Sequence, residues 1–113
     1  MEDELVRGGR FARLSIRGRR SGQSRGVNVG FVEEPDGAIL VAAGSPDASW
    51  AQNLLSDPDC TVTIGERSYA ARAEPLDDDD PRRGRAVREL ILRYGTPSEG
   101  LGSGLIFVLR PLT

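Results

Sequence analysis

The octapeptide Gly18-Arg19-Arg20-Ser21-Gly22-Gln23-Ser24-Arg25 lies between two runs of alternating apolar and polar side chains, and no other stretch constrains the fold as strongly. Before it, RFARLSI carries Phe11, Leu14 and Ile16; after it, GVNVGFV alternates Val27, Val29 and Phe31 with Asn28 and Gly30. A period of two marks half-buried strands, so the octapeptide is the turn of a strand pair. Gly18 and Gly22 let its backbone curl close to a ligand, and arginine guanidinium groups match the paired oxygens of phosphate or carboxylate. Two readings follow from these residues alone: an anion site for a phosphorylated or polyacidic small molecule, or a solvated basic hairpin.

The inventory of side chains narrows the chemistry. All 15 basic residues are arginine, there is no histidine, and Cys60 is the single cysteine. Schiff-base catalysis, a lysine base, histidine-activated nucleophiles, the usual zinc constellations and an intramolecular disulfide are therefore excluded, and no metal site is expected. Cys60 reads as a small buried hydrophobe. An enzyme built from this set borrows its reactivity from a cofactor. A net charge of −2 argues against a general nucleic-acid surface, although arginines crowd the first strand pair and Asp77-Asp78-Asp79-Asp80 forms an acidic block. With neither a run long enough to span a bilayer nor a secretory pattern, the expected location is cytoplasmic.

At 113 residues the chain fits a single domain over 10–113 behind a polar arm over 1–9. After the first hairpin, Glu33-Glu34-Pro35-Asp36-Gly37 is a tight turn into a third strand over 38–43, and Asp47 or Ser49 is placed to cap a short helix over 48–56. That helix sets Trp50, Ala51, Leu54 and Leu55 on one face. A second hairpin follows over 60–64 and 67–74, then a longer helix over 81–94 with Ala86, Val87, Leu90, Ile91 and Tyr94 inward, then a Gly/Ser-rich crossover and an apolar closing strand over 105–109. The order predicts an α+β domain, a barrel of about six antiparallel or mixed strands with two helices filling gaps in its rim.

Three pieces in order, GRRSGQSR, VAAGSPDASWAQNLLSDPDCTVTIG and RSYAARAEPLDDDD, resemble the deazaflavin-dependent nitroreductase family, and the likeness runs over about 11–94. The resemblance implies the split β-barrel of flavin-binding proteins and coenzyme F420 as cofactor, with FMN as the alternative. It implies that Arg19, Arg20, Ser21 and Arg25 hold the phosphate and acidic tail of the deazaflavin. By the same likeness Val27, Asn28 and Val29 line its ring system, and Ala42, Ala43, Gly44, Ser45, Ser49, Trp50, Ala51, Gln52 and Asn53 surround it. The implied activity is hydride transfer from the reduced deazaflavin to a small electron-poor acceptor; a cofactor carrier without turnover, or an FMN-binding protein, are the alternatives. Tyr94, Ser45 and Tyr69 are the side chains whose chemistry suits proton donation. The chain departs from the family after Tyr94, where Gly95, Thr96 and Pro97 stand in place of the tyrosines that wall the relatives' substrate pocket, so the acceptor stays open. A homodimer is the expected assembly, since a strand edge needs covering.

Overall fold

The computed structural model describes residues 8–43, 48–94 and 104–112. The octapeptide is the turn of a hairpin: β1 (Ala12–Arg17) and β2 (Ser24–Val29) pair antiparallel from Ala12 with Val29 to Arg17 with Ser24. After β2, Gly30 and Phe31 leave the ladder, and a two-residue strand β3 (Val32–Glu33) turns through Glu34 to Gly37 into β4 (Ile39–Ala42). Gly37 takes the left-handed φ of 91° that this turn requires, with its N–H donating to the Glu34 carbonyl at 3.1 Å. Helix α1 (Ser49–Ser56) comes next, then the hairpin β5 (Asp59–Ile64) and β6 (Arg67–Pro75), helix α2 (Pro81–Tyr94) and β7 (Ile106–Pro111).

The seven strands form one sheet in the order β2-β1-β5-β6-β7-β4-β3, and every pair is antiparallel. β2 and β3 occupy its opposite edges although only Gly30 and Phe31 separate them in the chain. Two residues span only about 7 Å, so the sheet must curl until its edges meet. Among the described residues no ladder joins those edges, which makes the barrel a split one. The expectation of about six strands is corrected to seven, and none is parallel. The extra strand arises because the expected strand over GVNVGFV breaks at Gly30, where a Cβ would lie 2.7 Å from the Tyr94 ring.

The curl creates two cores. Inside it, Leu14, Ile16, Val62, Ile64, Ala71, Phe107, Leu109 and Val41 pack around Ala51 and Leu54, so α1 plugs the barrel. Outside it, Ala86 and Leu90 of α2 cover Val32, Leu40, Ile106 and Val108. β4 and β7 are thus buried on both faces, which explains their unbroken apolar runs ILV and IFVL. The amphipathic stripe of α1 is narrower than its sequence suggests: Ala51 and Leu54 are buried, whereas Leu55 is 45% exposed.

Candidate cofactor site

The turn between β1 and β2 is held by its own backbone. The Gly18 N–H donates to the Gln23 carbonyl and the Gly22 N–H to the Gly18 carbonyl, each at 2.9 Å, while Gly22 takes a φ of 72°. Ser21 Oγ accepts the Gln23 N–H at 3.2 Å, a serine turn that fixes the loop from within. This shape carries the exposed side chains of Arg19, Arg20 and Arg25 towards the start of α1.

That start has an unusual feature. Its N-cap is Ala48, which offers no side-chain oxygen, and among the described residues no side-chain hydrogen bond caps the helix. Ser49 is therefore not the cap expected from the sequence, and Asp47 lies outside the described residues. Among the described residues no side chain caps the first-turn N–H groups of α1 at the mouth of the site, which favours negative charge there.

Between the loop and α1 lies a cavity of about 260 Å³ lined by Gly18, Arg19, Arg20, Ser21, Arg25, Ser49 and Asn53. A second cavity of about 230 Å³ abuts it, lined by Ile16, Arg25, Gly26, Val27, Ser49, Trp50 and Asn53. The two share Arg25, Ser49 and Asn53, so together they make one groove, basic at the loop end and apolar at the Trp50 end. Among the described residues no carboxylate pairs with Arg20 or Arg25. Trp50 packs its other side on Phe107, with ring centroids 6.1 Å apart, so it serves the barrel core and the groove wall at once.

The residues singled out in the sequence divide into three groups. Arg19, Arg20, Ser21, Arg25, Val27, Ser49, Trp50 and Asn53 come together around the groove. Asn28, Val29, Ala42 and Ala43 do not line it: Asn28 accepts from Arg13 Nη1 at 3.4 Å on the outer sheet face, Val29 and Ala43 are buried in the barrel core, and Ala42 packs towards α2. Gly44 and Ser45 lie outside the described residues. Tyr94 stands away from the groove, its hydroxyl donating to the Arg10 carbonyl at 2.7 Å and accepting the Phe31 N–H at 3.1 Å. Tyr69 is half-buried against the barrel core, and burial raises its pKa.

Sequence reasoning missed Gly26 and Ile16. A glycine inside an alternating strand is the signal for the first, because it marks a close approach to the backbone. Here the Arg13 guanidinium lies across the place a Gly26 Cβ would take. Ile16 carries no such signal, since its alternation reads simply as core.

A larger groove of about 560 Å³ exists near Ser15, Arg17, Ser24, Asp57, Asp59, Cys60 and Thr61. It mixes both signs of charge, with Arg17 Nε 3.8 Å from Asp57 Oδ2, and so lacks the single-sign field that gathers an anion. Volume alone does not select it.

The family model for F420H(2)-dependent quinone reductases matches residues 4–100. The chain belongs to that family. The family's cofactor is coenzyme F420 in its reduced form. An F420H(2)-dependent quinone reductase of Mycobacterium tuberculosis is 27% identical over 71 residues, which take in 60% of this chain and 48% of that relative. The chain thus spans about half the length of the curated relative it matches. Among solved structures, an F420-H2-dependent reductase superposes with a TM-score of 0.70 at 20% identity, over 89% of this chain and 94% of the other. The heme storage protein HutZ from Vibrio cholerae superposes with a TM-score of 0.75 at 19% identity, over 98% and 87% of the two chains. At these identities both show the shared split-barrel fold. Among the described residues no helix is long and apolar enough to cross a membrane.

Proposed function

We propose that this family member is an F420-dependent oxidoreductase in which the basic end of the groove holds the anionic tail of the cofactor and the Trp50 end receives its ring system. One observation carries the reading: two abutting cavities of opposite character share Arg25, Ser49 and Asn53, matching a ligand that is polyanionic at one end and planar at the other. The residues present fit such a group, since among the described residues Arg20 and Arg25 have no carboxylate partner and no side chain caps the first turn of α1.

When bound, reduced F420 supplies a hydride to an electron-poor acceptor. The chain's own part is binding and orientation. Arg20 and Arg25 neutralise the tail through charge-assisted hydrogen bonds, the first-turn N–H groups of α1 add favourable dipoles, and Val27, Ile16 and Trp50 give an apolar wall that excludes water from the ring. The acceptor is a small quinone-like molecule, in keeping with the family's name.

Fluorescence titration with F420 is the first test. The expected outcome is saturable binding that weakens as salt rises and falls by about tenfold or more in Arg20→Ala, the loss typical of a charge-assisted contact. Oxidation of F420H(2) with a panel of quinones, nitroaromatics and enones then reports the acceptor. Absence of binding ends the proposal; binding without turnover of any acceptor assigns the chain as a carrier instead.

A further inference from the structure

We infer that Asn53 is a positioning residue whose neutral side chain aims Arg19 at the anion cavity while leaving its positive charge intact. The inference rests on the groove being the tail site of the cofactor; what it adds is the part Asn53 plays in orienting Arg19, which the cavity outline does not give.

Asn53 is the only buried polar residue among those described, at 9% exposure. Its Oδ1 accepts two hydrogen bonds from one residue, the Arg19 backbone N–H at 3.2 Å and Arg19 Nη1 at 2.7 Å. Arg19 Nη1 also approaches the Ser49 carbonyl at 3.4 Å. A single α1 side chain therefore fixes both the backbone and the guanidinium of a turn 34 positions away in the chain. The oxygens that hold Arg19 are a carboxamide and a peptide carbonyl, and neither bears a formal charge.

Arg10, Arg13 and Arg93 are also held by neutral oxygens, but none of them lines the anion cavity, and five other arginines face carboxylates instead. Arg72 pairs with Asp59, Arg82 with Asp80, Arg85 with Glu34, Arg110 with Asp36 and Glu74, and Arg17 with Asp57. Each of those pairs cancels its own field. At Arg19 a buried amide orients the cation, and among the described residues no carboxylate pairs with it. An oriented, uncancelled charge lining a cavity is electrostatic preorganisation for an anion. Aspartate at 53 has nearly the same shape as asparagine and differs in charge, so shape and charge separate cleanly in one substitution.

The experiment compares wild type, Asn53→Asp and Arg19→Gln by fluorescence titration with two probes: F420, and the deazaflavin carrying its ribityl chain but neither phosphate nor acidic tail. Asn53→Asp is expected to weaken F420 by about tenfold or more, to flatten its salt dependence, and to weaken the tail-less probe several-fold less, since Asn53 also lines the ring half of the groove. Arg19→Gln keeps a donor for Asn53 but removes the charge, and is expected to give the same tail-selective loss. A purely structural role for Asn53 would tolerate the isosteric change or harm both probes equally. Wild-type affinity for F420 in Asn53→Asp, or parallel loss of both probes in a folded variant, overturns the inference. If thermal melting shows that Asn53→Asp does not hold the fold, Arg19→Gln decides, and wild-type binding there overturns it. Failure of wild type itself to bind F420 strikes the site reading rather than the division of roles within it.

Discussion

Cys60 illustrates how much one side chain's surroundings decide. It sits in the barrel core at 7% exposure, and burial, then the charges of Asp59 and Asp57, push its thiol pKa up to about 11. The native protein keeps this proton at a pH where the unfolded chain, near 9, has released it. Stability from this group is full below about pH 9 and is lost as pH rises towards 11, so part of the alkaline destabilisation should vanish in Cys60→Ala. The same cause makes the thiol slow to react: iodoacetamide at pH 8 is expected to label native protein many times more slowly than unfolded protein, and equal rates would show that the side chain is open to solvent. The sequence already marks Cys60 as inert, because no histidine is present to activate it. Arg19 was less legible. Its neighbours in sequence are cations and glycines, and nothing local distinguishes it from Arg20; only the approach of Asn53 from α1 separates the two.

At the scale of elements, α2 was read most closely. Its stop and start coincide with expectation over 81–94 because Pro81 stands at the first helical position and Asp80 Oδ1 accepts the Arg82 N–H at 2.9 Å, an arrangement written plainly in Asp-Pro. The Arg82 side chain adds two more bonds, Nε to Oδ1 at 3.1 Å and Nη2 to Oδ2 at 2.8 Å, and holds that carboxyl down at a pKa of about 2. One residue of α2 works against the helix. Gly84 is exposed, and a Cβ there meets nothing within 4 Å. Gly84→Ala is therefore expected to stabilise the protein by about 0.5–1 kcal/mol, read as a rise in the urea midpoint with the slope unchanged. A fall would mean that the backbone there departs from helical geometry. For α1 the periodicity located the helix but overstated its stripe, since a plug inside a curled sheet has room for Ala51 and Leu54 while Leu55 is left in solvent. The break between β2 and β3 was hidden by an alternation that continues through Gly30 and Phe31. The one trace of it is the adjacent pair Phe31-Val32, both buried, which a single strand with one wet face does not allow.

The molecule as a whole is closed at the place where β2 hands over to β3, and Tyr94 is the clasp. Its hydroxyl ties the Phe31 N–H and the Arg10 carbonyl to the end of α2, its ring packs on Phe11 at a tilt of 42° with centroids 5.0 Å apart, and the Arg93 guanidinium lies over Phe31 at 4.6 Å. Removing the hydroxyl in Tyr94→Phe leaves two backbone groups without that partner and is expected to cost about 1–3 kcal/mol in chemical denaturation. F420 affinity should change little, since Tyr94 lines neither half of the groove; a large loss of affinity with stability unchanged would return Tyr94 to the site. Overall class and element order were legible because periodicity and turn residues are local properties. The curl was not, because it follows from which strand lies beside which. The position of β7 has a consequence for synthesis. β4 reaches the rest of the sheet through β7, pairing Ala42 with Ile106 and Ile39 with Leu109. At roughly 5–20 residues per second of translation, the β3–β4 hairpin waits several seconds on the ribosome before its neighbour exists. For that interval Ile39, Leu40 and Val41 are an unpaired apolar edge on a nascent chain, so the open side of β4, which the finished sheet covers with β7, is where a chaperone has most to protect.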